Sequence, residues 1–88
     1  MAKRLKDWHV YVVRCADRSL YTGIAKDVQA RISKHNAGKG AAYTRARRPV
    51  RLVYRESGYT RSGALSREAR IKALRRLEKM RLIAEVHA

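Results

Sequence analysis

Two side chains that can bind or protonate a ligand stand four residues apart in the sequence. Arg31 and His35 lie on one face of a predicted helix that begins after a capping Asp27 and ends before Gly38. Residues four apart are neighbours on a helix surface, so the guanidinium and the imidazole can converge on one ligand. The arginine suits a phosphate, and the histidine titrates in a range useful for proton transfer.

A predicted β-hairpin from Trp8 to Gly23 carries one tyrosine on each strand. Its strands are rich in valine and aromatic residues, and residues 16–19 have turn chemistry. If the turn is centred on Ala16, Tyr11 lies opposite Tyr21, with their Cβ atoms about 4.5–5.5 Å apart. Two phenols would then project side by side. Gly23 is expected to end the strand pair, where a side chain would block close approach to the sheet.

Glu68 is the carboxylate that the pattern directs inward. Apolar residues recur at helical spacing after Thr60 or Ser62, and either of these two residues could cap the helix. Glu68 lies between two apolar positions in helical projection. The other acidic residues fall in the lead-in, in turns, at a cap or on solvated positions, so the sequence does not supply the carboxylate cluster of a two-metal site.

The charge of the chain points to a polyanionic partner. Its 88 residues form one small domain, and 22 lysines and arginines against 7 acidic residues give a formal net charge of +15. Such an excess repels itself in a folded domain, so nucleic acid is the first candidate partner. Two other interpretations remain, a ribosome-associated or merely basic protein and, third, an anionic membrane surface. The last is disfavoured because cations encircle most of the final helix.

Residues 37–49 form a predicted loop that combines cations with an aromatic side chain. Such a loop suits a phosphate backbone and an unstacked base, although a solvated loop with Tyr43 packed inward is an equal alternative. The candidate nucleic-acid-binding residues are Lys39, Tyr43, Arg45, Arg47 and Arg48, together with Lys72 in the later helix.

The ordered set of these residues resembles the GIY-YIG nuclease superfamily. Val10-Tyr11, an interval of ten, Tyr21-Thr22-Gly23, then Arg31, His35 and Glu68 follow the family's order, although the first motif reads His-Val-Tyr rather than Gly-Ile-Tyr. The similarity runs from about Trp8 to Ile83 and is greatest to small stand-alone bacterial members. Ile24 and the lack of an asparagine after Glu68 depart from the family pattern and predict reduced or substrate-limited activity.

The resemblance and the residue pattern together predict an α/β (α+β) fold. We expect a small three-stranded antiparallel sheet flanked by helices, in the order β-β-α-β-α(-α), with a helix break near Arg76. The third strand, residues 50–56, follows a proline, is a candidate edge strand, and is predicted to break at Ser57-Gly58. The expected domain is 8–84, between a basic lead-in 1–7 and a tail 85–88.

The resemblance also implies roles for the five residues. Glu68 would hold a single Mg²⁺ or Mn²⁺, and Arg31 would bind the scissile phosphate. Tyr21 would act near the nucleophilic water, Tyr11 would orient the water or the phosphate, and His35 is the alternative base. Taken singly, each has an ordinary interpretation: Tyr11 and Tyr21 as strand residues, Arg31 as a solvated cation, His35 as a satisfied half-buried residue, and Glu68 as the ion-pair partner of Lys72.

We therefore expect a metal-dependent endonuclease that hydrolyses phosphodiester bonds in DNA, with branched or single-stranded forms among its candidate substrates. The alternative is a nucleic-acid-binding module with weak or no cleavage. DNA is favoured over RNA as the partner, and a monomer or weak dimer is expected. One cysteine, Cys15, rules out an internal disulfide and fits a cytoplasmic protein, and no stretch is long enough to span a membrane.

Overall fold

A computed structural model describes residues 5–87, so residues 1–4 of the predicted lead-in and residue 88 of the predicted tail lie outside it. The elements in chain order are β1 (Trp8–Arg14), β2 (Leu20–Ala25), α1 (Val28–Asn36), α2 (Ala42–Arg45), β3 (Arg51–Tyr59), α3 (Arg61–Ala73) and α4 (Arg76–His87). The predicted α+β fold and element order are confirmed. The one addition is α2, a single turn of helix inside the predicted loop, and α4 continues through most of the predicted tail.

The register of the hairpin differs from the expected one. Tyr11 lies opposite Gly23, and Tyr21 lies opposite Val13, so the turn is centred on Asp17 rather than Ala16. The Asp17 carboxylate accepts a hydrogen bond from the Ser19 amide at 3.0 Å, which closes a five-residue loop. The two tyrosines are therefore diagonal neighbours, about 7–8 Å apart, and not direct partners.

Gly23 allows a close approach, but it does not end the strand pair. β2 continues to Ala25, so the predicted end at Gly23 is wrong. A Cβ atom added at Gly23 would lie 2.5 Å from the Tyr11 hydroxyl oxygen. The absence of a side chain at this position therefore makes room for the Tyr11 ring across the sheet.

The third strand also runs further than expected. Ser57-Gly58 does not break β3, which continues to Tyr59. The pairing with β1 shifts between the Trp8–Tyr59 and Val10–Glu56 pairs, and Gly58 adopts a positive φ of 87° in this irregular stretch. A β-bulge absorbs the extra residue, which is why the turn signal does not terminate the strand. The strand order β2-β1-β3 confirms β3 as an edge strand.

The sheet separates two small cores. Alternate residues of β1 face opposite sides because successive side chains of a strand alternate. On the α1 side the buried cluster includes Tyr11, Val13, Cys15, Val28 and Val50. On the α3 and α4 side it includes Val10, Val12, Tyr54, Ala64 and Ile71. β1 is thus covered on both faces and forms the centre of the domain.

The helix break predicted near Arg76 is confirmed. α3 ends at Ala73, and Leu74 takes an extended conformation with φ −67° and ψ 147°. The Glu78 carboxylate accepts a hydrogen bond from the Arg75 amide at 3.1 Å, which satisfies a backbone donor at the start of α4. Between residues 5 and 87, no helix combines the length and the apolar character that crossing a bilayer requires.

Candidate functional site

A chain of hydrogen bonds joins three elements on the α1 side of the sheet. His35, in the last turn of α1, is fully buried. Its Nε2 lies 2.8 Å from the hydroxyl of Tyr11 on β1, and its Nδ1 lies 2.7 Å from the hydroxyl of Thr44 on α2. The Thr44 hydroxyl in turn donates to the carbonyl of Ala41 at 3.0 Å. Both ring nitrogens of His35 are therefore satisfied, and the imidazole is held in one orientation.

The direction of each hydrogen bond follows from the last link of this chain. Because the Thr44 hydroxyl gives its one proton to Ala41, its oxygen must accept from His35 Nδ1. Neutral imidazole carries one N–H, so Nε2 is left as an acceptor, and the Tyr11 hydroxyl donates to it. The geometry therefore fixes the tautomer of His35 and directs the phenolic proton of Tyr11 towards a base.

The electrostatics of the site keep Tyr11 and His35 neutral near pH 7. Burial raises the pKa of Tyr11 to about 12; the Arg31 guanidinium opposes this, while Tyr21 and Glu68 add to it. Burial, followed by the charge of Arg31, lowers the pKa of His35 from its ordinary 6.5. Tyr11 is therefore a poor base by itself, whereas His35 stays unprotonated and able to accept a proton.

Tyr21 lies beside the same histidine. Its ring centroid is 5.3 Å from that of His35 in an edge arrangement, and 6.0 Å from that of Tyr43, with the two tyrosine rings inclined by 23°. The shifted register explains this placement, since a diagonal neighbour of Tyr11 on the same face still borders His35. The two phenols thus meet at the imidazole although they are not paired across the strands.

α3 contributes a carboxylate and a cation from the other face of the sheet. Glu68 and Lys72 form an ion pair of 3.5 Å, in which the side chain of Glu68 is 18% exposed. The Lys72 ammonium is 5.9 Å from the centroid of the Tyr21 ring. Because β2 is an edge strand, side chains of α3 can lie beside Tyr21. The charge of Glu68 is close enough to affect the pKa of Tyr11, as is that of Arg31.

The five residues of the predicted site are thus brought into one region. α1 supplies Arg31 and His35, the hairpin supplies Tyr11 and Tyr21, and α3 supplies Glu68. His35 is more deeply buried than the ordinary interpretation of a half-buried residue had it. Glu68 also forms the ion pair with Lys72 that its ordinary interpretation predicts.

The basic loop is more ordered than its composition predicts. The Arg47 guanidinium lies 3.9 Å from the centroid of the Tyr43 ring and donates to Asp17 at 3.0 Å. Arg48 donates to the Arg45 carbonyl at 3.0 Å. Tyr43 is 38% exposed, so it is neither packed fully inward nor free in solvent. Lys39 and Arg45 have exposed side chains on the same segment.

Sequence reasoning missed Thr44, because a threonine among cations gives no sign that it will bond a buried histidine. It also missed a second polar cluster, which lies on the α3 side of the sheet. There Glu56 accepts hydrogen bonds from Arg67 at 2.8 and 2.9 Å, from Tyr59 at 2.7 Å, and from Tyr54. These contacts, those of Arg67 foremost, lower the pKa of Glu56 to about 2. The cluster joins β3 to α3.

The fold and the site agree with comparisons to known proteins. The model of the GIY-YIG catalytic domain matches residues 7–81, so this chain belongs to the GIY-YIG family, as its motifs predict, and to a nuclease-type class. Among its relatives, the UPF0213 protein SAV0488 of Staphylococcus aureus (strain Mu50) is 60% identical over 76 residues, which are 86% of this chain and 93% of that protein.

Two solved structures are also similar. The UPF0213 protein BH0048 from Bacillus halodurans is 43% identical, with 88% of this chain and 82% of that chain covered and a TM-score of 0.56. The protein EF2693 from E. faecalis is 35% identical, with 98% and 92% covered and a TM-score of 0.61. Both are solution NMR structures, and their likeness agrees with the α+β fold.

Proposed function

We propose that this chain is a metal-dependent endonuclease that hydrolyses phosphodiester bonds in DNA, with branched or single-stranded forms among its substrates. The observation that carries the proposal is the hydrogen bond of 2.8 Å from Tyr11 to a buried, neutral His35. It provides a fixed proton acceptor within a family whose catalytic domain matches residues 7–81. Arg31, whose charge influences the pKa of both groups, is the cation that we propose binds the phosphate.

In the proposed mechanism Tyr11, rather than Tyr21 as the resemblance implies, is the first proton acceptor, because Tyr11 is the tyrosine that donates to His35. The Tyr11 oxygen takes a proton from the attacking water as its own hydroxyl proton passes to Nε2 of His35. The water oxygen forms the new bond to phosphorus, and the bond from phosphorus to the leaving oxygen breaks. Arg31 binds the phosphate oxygens, on which negative charge increases in the transition state. The leaving oxygen then takes a proton from the imidazolium or from solvent. Tyr21 orients the water beside Tyr11.

The residues present fit a single divalent cation at Glu68. Mg²⁺ prefers carboxylate oxygen, keeps several waters and takes substrate phosphate as a further ligand, so one protein carboxylate suffices. The Glu68 side chain is 18% exposed and forms an ion pair with Lys72 at 3.5 Å, which an incoming cation can displace. Bound Mg²⁺ or Mn²⁺ would supply positive charge to the scissile phosphate.

The proposed substrate follows from the charge of the surface. The chain carries a formal charge of +15, and exposed Lys39 and Arg45 lie on the segment next to the site. We propose that these residues, with Tyr43, Arg47, Arg48 and Lys72, contact the nucleic acid, and that DNA is preferred to RNA. We further propose a monomer or weak dimer in the cytoplasm, which fits the single buried Cys15.

The test is incubation of the chain with labelled branched, nicked and single-stranded DNA and matched RNA, with Mg²⁺, with Mn²⁺ and with a chelator. Cleavage that needs the metal is expected. Arg31→Ala should lose cleavage and bind DNA slightly more weakly, because one phosphate contact is removed. Absence of cleavage of every form under every condition would contradict the proposed activity.

One contact favours a second candidate function, a nucleic-acid-binding module with weak or no cleavage. Lys72 already neutralises Glu68 at 3.5 Å, which competes with metal binding. The two functions differ in one measurement, since a binding module retains DNA with a salt-dependent affinity but leaves every substrate intact in Mg²⁺ and Mn²⁺.

A further inference from the structure

An open pocket lies beside Trp8, and the hydrogen-bonded Tyr11 is not part of its lining. Its volume is about 480 Å³, and its lining includes Leu5, Trp8, Lys26, Arg61 and Leu65. Leu5 and Leu65 are 69% and 42% exposed, so apolar surface is open to solvent here. The pocket therefore offers a flat ligand both an aromatic ring and apolar side chains.

Two cations flank the tryptophan ring. The Lys26 ammonium and the Arg61 guanidinium each lie 5.7 Å from the Trp8 ring centroid. The Lys26 side chain is 60% exposed and also pairs with Asp7 at 3.7 Å, a contact weak enough to exchange. An aromatic ligand can thus replace a cation over the ring, and the released cation can bind a phosphate attached to that ligand.

Two features extend from the pocket towards residues of the proposed cleavage site. A neighbouring cavity of about 350 Å³ shares Trp8 and Lys26 with the pocket, and its lining also includes Arg31 on α1. On α3, residues 61, 65, 68 and 72 follow each other at spacings of four, three and four, which is one helical face. That face begins with Arg61 at the pocket and includes Glu68 at the cleavage site. Arg31 on α1 and Glu68 on α3, both assigned to the cleavage site, therefore lie on elements that also border the Trp8 region.

We propose that the Trp8 pocket is a nucleotide subsite, which holds one base and its phosphate of a substrate strand that continues past Arg31. The inference rests on the proposed function and adds to it a second point of contact. Stacking on an aromatic side chain accepts any base, because every base has a π face, and the flanking cations match the phosphate charge. The subsite thus lengthens the bound strand without reading its sequence.

Trp8 is the one tryptophan of the chain, so its fluorescence reports on the pocket directly. The full chain is titrated, without divalent metal, with a labelled single-stranded DNA oligonucleotide, and both the anisotropy of the label and the tryptophan emission are recorded. We expect saturable quenching of Trp8 with the same midpoint as the anisotropy. Binding with unchanged emission would overturn the subsite alone, whereas absence of binding would overturn the proposed function and the subsite with it.

A pair of matched variants separates the subsite from general charge attraction. Lys26→Ala with Arg61→Ala removes two cations at the pocket, and Arg70→Ala with Arg81→Ala removes two exposed cations elsewhere on α3 and α4. The first pair should make the slope of log affinity against log salt less steep by roughly 0.7, the value for one phosphate contact on a single strand. The second pair should change it little. Equal losses for both pairs would overturn the subsite.

The third arm tests the nature of the ligand. Polyglutamate carries a comparable line of negative charges but no aromatic base, so it should not quench Trp8 at salt concentrations where the oligonucleotide does. Quenching by both would contradict stacking of a base and would favour an acidic protein segment. Circular dichroism of each variant should match the parent, which shows that the changes in binding do not come from unfolding.

Discussion

Two polar clusters, one on each face of the sheet, contain tyrosines with similarly raised pKa values but different hydrogen-bond acceptors. Burial raises the pKa of Tyr11 to about 12, and burial with the hydrogen bond to Glu56 raises that of Tyr54 to about 12. Tyr54 donates to a carboxylate whose own pKa is about 2, which cannot hold a proton near pH 7. Tyr11 donates instead to a neutral imidazole, whose Nε2 lone pair can accept the phenolic proton during a reaction.

The comparison teaches that a perturbed tyrosine pKa does not by itself mark a catalytic group. The two clusters differ in the group that accepts the hydrogen bond of the tyrosine hydroxyl. Glu56 is neutralised by Arg67 through two hydrogen bonds of 2.8 and 2.9 Å, so that cluster is closed and suits a structural role. The Tyr11 cluster ends in a neutral base beside Arg31, and it suits proton transfer next to a phosphate.

The largest expected effect concerns Glu68, the proposed metal ligand. Glu68→Gln should lower metal-dependent cleavage by about a thousandfold, because losing a metal that polarises phosphate costs several kcal/mol of transition-state stabilisation. DNA binding should be kept or slightly strengthened, since a negative charge near phosphate is removed. Cleavage rates at saturating DNA measure the first effect, and anisotropy measures the second.

The control for this variant is Glu85→Gln, which removes an exposed negative charge on α4. It should cleave like the parent. If Glu68→Gln also cleaves like the parent, Glu68 is not the metal ligand, and it is no more important for cleavage than Glu85. A matching fall in thermal stability for Glu68→Gln would instead indicate a structural role for this side chain.

The second-largest expected effect distinguishes Tyr11 from Tyr54. Tyr11→Phe removes the hydroxyl that donates to His35 and should lower the cleavage rate by about a hundredfold, the usual scale of general-base catalysis. Tyr54→Phe removes an equivalent hydroxyl from the Glu56 cluster and should leave cleavage unchanged. Single-turnover rates of both variants are compared. An equal loss in both would mean that the rate reports folding and not proton transfer.

The third effect concerns stability. Glu56→Gln keeps the shape of the side chain but removes the charge that pairs with Arg67, so the free energy of unfolding should fall by about 2 kcal/mol, as for hydrogen bonds to charged groups. Urea denaturation measures it, and the cleavage rate of the folded variant should equal that of the parent. Unchanged stability would show that the Glu56 cluster does not hold β3 against α3.

Local patterns predicted the elements apart from α2, and they did so where the signal is short-range. Asp27 caps α1 through its carboxylate as expected, and the spacing of Arg31 and His35 follows from one helix. The hairpin register was predicted wrongly because it depends on the turn around Asp17, where Arg18 adopts a positive φ of 70°. That conformation favours glycine or asparagine, so an arginine gives no sign of it.

The contacts that sequence could not predict join residues distant along the chain. Thr44 bonds His35 only because α2 folds back onto α1, and Glu56 bonds Arg67 only because α3 packs on the sheet. No periodicity encodes such pairs, since each partner is an ordinary polar residue in its own segment. The family's motif order identifies Tyr11 and His35 as a set, but the proton acceptor of Tyr11 is visible only in three dimensions.

The smallest expected effect sets the two clusters apart by the pH range in which each loses stability. The folded-state pKa of His35 lies below 6.5, so the unfolded chain binds the proton more tightly, and the contribution of His35 is full above pH 6.5 and is lost as pH falls below that value. The pKa of Glu56 falls from 4.5 to about 2 on folding, so its contribution is lost between those values. Urea midpoints from pH 8 to pH 3 should therefore fall in two stages.

Glu56→Gln should weaken the acidic stage and should keep the stage that begins below pH 6.5. Part of the acidic stage should remain in this variant, because hydrogen bonds from Ser19 also lower the pKa of Asp17. A variant that loses the upper stage instead would show that the two clusters are coupled through the sheet.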